Sequence, residues 1–144
     1  MRAALLAVLL VSVTMQPAAA EGFHREDLRI PMAAADPAGL EAMLVRPSGN
    51  GRYPLALISH GAPRDRAARA TMSPYRLYRQ AIEFARRGFA ALVVMRRGYG
   101  DSGGRYAENS GPCTNRNYLR SVRASAEDLQ AAIGAMQNLS LIHI

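Results

Sequence analysis

The chain has 144 residues and a formal net charge of +7, and all 18 of its basic side chains are arginine, with no lysine and no tryptophan. The arginines are scattered and not interleaved with aromatics, so the charge reads as codon bias in an alanine- and arginine-rich chain, and nucleic acid is not expected as a partner. A single cysteine, Cys113, rules out a disulfide within the chain.

Met1 to Ala20 carries a positive start at Arg2, an apolar core from Ala3 to Val13 and small residues Ala18-Ala19-Ala20 after Pro17. This pattern predicts a secretory signal peptide cut before Glu21, and so an exported, periplasmic or secreted protein. The apolar run is shorter than the roughly 20 residues that span a bilayer, so no stable membrane anchor is expected. Residues 21–144 then form one domain.

Two strands open that domain. Asp27 to Ala34 and Leu40 to Arg46 flank Asp36-Pro37-Ala38-Gly39, a turn with a fixed φ at Pro37 and freedom for positive φ at Gly39. Leu28, Ile30 and Met32 alternate with polar or small residues, as do Leu40, Ala42 and Leu44, predicting a half-buried antiparallel hairpin at a sheet edge. Pro47-Ser48-Gly49-Asn50-Gly51 breaks the chain.

Leu55 to Ile58 is an unbroken apolar run, predicting a strand buried on both faces. It ends in Ser59-His60-Gly61-Ala62-Pro63, where Gly61 allows unusual backbone angles and Pro63 removes a donor and keeps Ala62 extended. Arg64-Asp65-Arg66-Ala67-Ala68-Arg69 reads as a solvated loop, the alternative being part of a substrate mouth that selects acidic groups. A helix follows, capped by Ser73 with Pro74 in its first turn and ended by Gly88; Tyr78, Ala81, Ile82 and Ala85, with Leu77 and Phe84 beside them, give its apolar face. Phe89 to Met95 is a second fully apolar strand, so strand, helix and strand make a crossover unit with parallel strands.

That strand discharges into Arg96-Arg97-Gly98-Tyr99-Gly100-Asp101-Ser102-Gly103-Gly104. The last five residues satisfy Gly-x-Ser-x-Gly, yet a nucleophile elbow needs a strand leading at once into a helix, and Ser102 stands seven residues past Met95 with no helical pattern after it. The same five residues match the nucleophile segment of chymotrypsin-like proteases, but those need a β-barrel, and helices alternating with buried strands argue against one. Cys113 sits in a loop with no local base, so it reads as a loop cysteine, free or bridged to a thiol outside this chain. From about Asn117 to about Gln137, Val122, Ala126, Leu129, Ile133 and Met136 form an apolar stripe, with Glu127 and Asp128 opposite it as solvated charge. Asn138 to Ile144 either begins another strand or is a foreign tail, and His143 is not offered as a base.

The His60-Gly61-Ala62 turn after a buried strand, and the arginine-glycine loop after the next, resemble the α/β-hydrolases, in particular their dienelactone-hydrolase-like and acyl-peptidase-like branches. The resemblance runs from about Leu28 to Gln137. It implies the N-terminal half of an α/β sheet: an antiparallel edge hairpin, then parallel strands with crossover helices. It also implies that the backbone amide of Ala62 is one donor of an oxyanion hole, with His60 and Gly61 forming its turn. Arg97, Gly98, Gly100 and Ser102 are similar to an Arg-Gly-x-Gly-x-Ser pocket loop, which Tyr99, Asp101 and Gly103 complete. The implied activity is cleavage of an ester, lactone, thioester or peptide bond in a small molecule or peptide through an acyl-enzyme. The nucleophile, acid and catalytic His would lie beyond Ile144, leaving these residues inactive alone. No cofactor is expected, and three scattered His with one Cys offer no metal-ligand spacing. The alternatives are a complete, non-catalytic exported binding module, or a serine protease using Ser102.

Overall fold

In a computed structural model, residues 22–138 and 142–143 are described; the expected signal peptide and part of the C-terminal tail lie outside them. The chain has an α/β fold built on a mixed sheet in the order β1-β2-β4-β3-β5. β1 (Phe23–Ile30) pairs antiparallel with β2 (Leu40–Pro47), which pairs antiparallel with β4 (Ala90–Val94). β3 (Tyr53–Ser59) runs parallel to β4 and, through Tyr53 and Pro54, parallel to β5 (Ile142–His143). The antiparallel hairpin followed by parallel strands is therefore as expected, and the tail continues the sheet at Ile142–His143.

The first strand lies earlier than the alternation suggested. It ends at Ile30, where Pro31 has no amide to offer a ladder, and Ala33–Ala35 forms a 3-10 turn instead of strand. Gly39 does take the left-handed conformation, with φ +67°, and a Cβ there would also press on the Ile30 carbonyl, so both backbone angle and space call for glycine. β2 is not half-buried but buried on both faces, since it lies inside the sheet between β1 and β4. Its alternate residues serve two cores. Leu40, Ala42 and Leu44 join Leu92, Val94, Ala132 and Met136 on one face, whereas Met43 and Val45 join Val93, Met95, Ala81 and Ala85 on the other. Each fully buried leucine, valine or methionine contributes about 1.5–3 kcal/mol, so β4, closed on both faces, anchors the domain.

β3 departs from expectation in the other direction. Its Leu55–Ile58 run is only half-buried, because among the described residues β4 flanks it along its length while β5 reaches only Tyr53 and Pro54.

Between β3 and β4 the chain forms two helices. The expected solvated loop contains a short one, α1 (Arg66–Ala70), capped by the Asp65 carboxylate, which accepts from the Ala68 amide at 2.6 Å. Ser73 caps the next segment as expected, accepting from the Tyr75 amide at 3.4 Å; Pro74–Leu77 is a 3-10 turn leading into α2 (Tyr78–Arg86). Gly88 ends it at φ +82°. Ala81 and Ala85 are buried with Leu77, Tyr78 and Ile82 packed beside them, while Phe84 is largely exposed and meets the edge of Phe89.

The long helix α3 (Tyr118–Asn138) covers the other face, rotated from the expected stripe. Its buried residues are Ala124, Asp128, Ala132 and Met136, four apart, whereas Val122 is 62 % exposed and Ala126 is also exposed. Small residues at 124 and 132 let the helix approach the sheet, and Asp128 turns inward because an ionic partner awaits it there. Among the described residues no helix is long and apolar enough to cross a membrane.

Candidate functional site

The parallel register, with Ser59 opposite Val94, makes β3 and β4 end together. Two turns, 60–65 and 96–104, therefore leave the sheet at the same edge, where open α/β sheets bind ligands.

Arg96 organises the junction. Its guanidinium is 5 % exposed and pairs with Glu108, itself 6 % exposed, with Nη2 donating to Oε2 at 3.1 Å. Nη1 of Arg96 donates to the Ser59 hydroxyl and, at 3.0 Å, to the His60 carbonyl, fastening the end of β3 to the start of the glycine loop. Tyr99, fully buried, donates its hydroxyl to Glu108 at 2.7 Å. Burial pushes the Glu108 carboxyl up, but hydrogen bonds from Arg96 and Tyr99 outweigh it and hold the group below its ordinary value. Burial and the bond to Glu108 together push the Tyr99 phenol well up, so it stays a donor.

His60 is more than a turn residue. Its ring lies 4.3 Å from that of Tyr99, its Nδ1 sits 2.6 Å from the Gly61 carbonyl, and its Nε2 accepts from the Arg96 amide at 3.1 Å. Both partners require the neutral tautomer with the proton on Nδ1. Burial, with the nearby Arg96 charge, lowers the imidazole below its ordinary value, against the pull of Gly61 and Glu108. This histidine is fixed in place and its acceptor nitrogen is occupied.

The glycine loop is seated against its surroundings. Gly98 and Gly100 take φ +74° and +53°, and a Cβ on Gly98 would come 2.5 Å from the Tyr106 amide nitrogen. Gly103 donates to the Gly39 carbonyl at 2.8 Å and passes so close to Ala35 that a Cβ would lie 2.0 Å from its carbonyl oxygen. The Ser102 hydroxyl donates to the Met95 carbonyl at 2.7 Å and accepts from the Glu41 amide at 2.9 Å, while the Asp101 amide donates to Glu41 at 3.0 Å. Neither nitrogen of His60 bonds to Ser102. Ser102 is therefore a brace, not an activated nucleophile, and 103–117 contains no helix of the kind an elbow needs.

Arg97 is held from α3. Its amide donates to Asp128 Oδ2 at 2.8 Å, and its guanidinium reaches Glu127 at 2.9 Å. Arg97 Nε and Asp128 Oδ1 lie 2.5 Å apart but off a hydrogen-bonding line, so that contact is ionic. Asp128, expected on the solvated face, is 2 % exposed; burial raises its carboxyl, and Arg97 opposes the shift.

The other turn is open. Gly61 does not use its conformational freedom: its φ is not positive, and a Cβ there would meet nothing within 4 Å. Ala62 is exposed, and no hydrogen bond among the described residues takes its amide. Beside the turn, Arg69 donates to the Arg64 carbonyl at 2.5 Å and stacks 3.9 Å over the Tyr106 ring. A cavity of about 480 Å³ lies between α1 and the glycine loop. Among the described residues no group of three His, Cys, Asp or Glu is placed to hold a metal ion. Cys113 is a free, exposed thiol whose sulfur accepts from Arg116 at 2.7 Å.

No family model matches the chain, and no curated protein matches it in sequence. Among solved structures it is similar to a hypothetical protein of Pseudomonas aeruginosa, at 20% identity and TM-score 0.51, over 94% of this chain and 38% of that one. This likeness shows the fold. A second similarity, to acetyl xylan esterase 1 from Thermoanaerobacterium sp. JW/SL YS485, has 14% identity and TM-score 0.41 over 85% of this chain and 42% of that one. The chain thus spans less than half the length of both structures.

Of the residues singled out in the sequence, His60 and Tyr99 touch directly, and Arg96, which was not among them, joins the two turns. Arg96, Glu108 and Asp128 were missed as a group. A signal existed for Arg96, since an arginine placed directly after a fully apolar strand has to find a buried partner. Glu108 lay in an irregular segment where no periodicity marks a buried side.

Proposed function

We propose that these residues form the first part of an exported α/β-hydrolase that cleaves an ester, lactone, thioester or peptide bond through an acyl-enzyme. One observation carries the reading: β3 and β4 are parallel and end in register, so the His60-Gly61-Ala62 turn and the Arg97–Gly103 loop leave the same edge of the sheet. The exposed, uncommitted amide of Ala62 would donate to the oxyanion, and the glycine loop, whose Gly98 and Gly100 line a neighbouring cavity, would wall the pocket. An oxyanion hole needs donors fixed before charge develops, and the Arg96 bridge to the end of β3 supplies that fixity. Because Ser102 is a brace, the nucleophile, its acid and its histidine belong to sequence beyond Ile144, as does the second oxyanion donor. Export rests on Met1 to Ala20.

The test is to express the chain with its native downstream sequence and treat it with a fluorophosphonate probe. Labelling of a residue beyond Ile144 is expected, and labelling of Ser102 would refute the assignment. In that protein Ala62→Pro, which deletes the amide donor, is expected to lower kcat by about 10²–10³.

A further inference from the structure

The cavity between α1 and the glycine loop is lined by three arginines, Arg66, Arg69 and Arg105, and by no carboxylate. The side chains of Arg66 and Arg105 form no ion pair or hydrogen bond with any described residue. Arg69 is preset: Tyr106 supports its guanidinium, and one of its nitrogens is tied to the Pro63 and Arg64 carbonyls, at 3.4 and 2.5 Å. An adjoining cavity of about 390 Å³ shares Arg69 and Tyr106 and adds Arg64 and Arg116. Its carboxylate, Glu108, is already neutralised by Arg96. Both cavities fall within the roughly 300–1,000 Å³ typical of small-molecule sites.

We propose that the cavity formed by Arg66, Arg69, Arg105 and Tyr106 binds the anionic group of a small molecule, a carboxylate or a phosphate monoester. Arginines that share one cavity without a carboxylate repel one another until an anion enters, and the planar guanidinium fork matches the oxygens of either group. Positive charge focused in a concavity also draws anions from solution. Arg69 connects this cavity to the carbonyls that immediately follow Ala62. Resting on the proposed hydrolase activity, the inference therefore narrows the substrate to one bearing an acidic group close to the bond cleaved.

The experiment needs no turnover. Succinate, methyl phosphate and uncharged succinamide are titrated separately into the full chain, at low and at high salt, with calorimetric detection. Saturable binding of succinate or methyl phosphate that weakens with salt is expected, the better ligand identifying the group, while succinamide does not bind. The exposed pair Arg66→Gln and Arg105→Gln, with folding verified by circular dichroism, is expected to bind roughly tenfold more weakly or less, and Arg79→Gln on α2 to bind normally. Absence of anion binding, equal binding of succinamide, an unaffected double variant or an equally weakened Arg79→Gln would each overturn the proposal. Should the double variant fail to fold, the contrast between anions and succinamide decides. A failed fluorophosphonate experiment would leave this binding result standing, and the reverse also holds.

Discussion

β3 and β4 are adjacent, parallel apolar strands whose exits leave the sheet side by side, yet the two turns are built to opposite specifications. The exit of β4 is clamped at almost every residue: Arg96 by Glu108, Arg97 by Asp128, Ser102 by the backbone at Met95 and Glu41, Gly103 by the Gly39 carbonyl. The exit of β3 is held at its base through Ser59 and His60 and beyond its tip by Arg69 on the Pro63 and Arg64 carbonyls, while between them the Ala62 amide projects uncommitted. The difference teaches where ligand contact has room to occur. A donor already bonded to protein has nothing left for a substrate, whereas a free amide on a fixed base can accept new charge without reorganising.

Variants that strike one turn and spare the other test this contrast. Glu108→Ala strands the Arg96 charge in a buried site, and a loss of about 3–5 kcal/mol of unfolding free energy is expected in urea titration. Gly103→Ala forces a methyl into the Ala35 carbonyl, with an expected loss of about 3 kcal/mol by the same measurement. Ser102→Ala leaves the Glu41 amide and the Met95 carbonyl short of a partner and should cost about 1–2 kcal/mol. A complete loss of folding there would show that the loop is braced less redundantly than its contacts indicate.

The fourth prediction concerns pH at the base of the β3 turn. His60 is held below its ordinary 6.5, so on acidification the unfolded chain takes up the proton first. The stability it supplies is complete above pH 6.5 and is lost as pH falls from there through the lower folded value, with a slope of at most about 1.4 kcal/mol per pH unit. Arg96, Glu108 and Tyr99 face the same ring, so the informative quantity is the difference between wild type and His60→Asn, whose stability should lack this slope. The smallest effect is expected at the tip. Gly61→Ala should change stability by no more than about 0.5 kcal/mol, since neither backbone angle nor space opposes a methyl. A large loss at Gly61 would remove the distinction between the turns.

Much of this arrangement could be read from the chain, because it rests on local chemistry. Ser73 with Pro74 and Gly88 bracketed α2, Gly39 took the positive φ its turn required, and the unbroken run before Met95 became the most buried strand. The clamps could not be read this way. α3 carries two plausible faces, and its small residues at 124 and 132 won over the bulkier Val122, because close approach to the sheet brought Asp128 onto the Arg97 amide. Gly61 looked conformationally necessary and is not, while Gly103, read only as part of a pocket loop, leaves no room for any side chain.

The sequence by itself therefore determined the hairpin turn, the two apolar strands and the bracketing of α2, since capping, proline restriction and apolar runs act between residues a few positions apart. Only the tertiary structure decided which helix face is buried, which arginines are neutralised and which amide is left free. Those outcomes depend on partners brought together across the sheet, and a charge's worth is set by what surrounds it after folding, not by its neighbours in the chain.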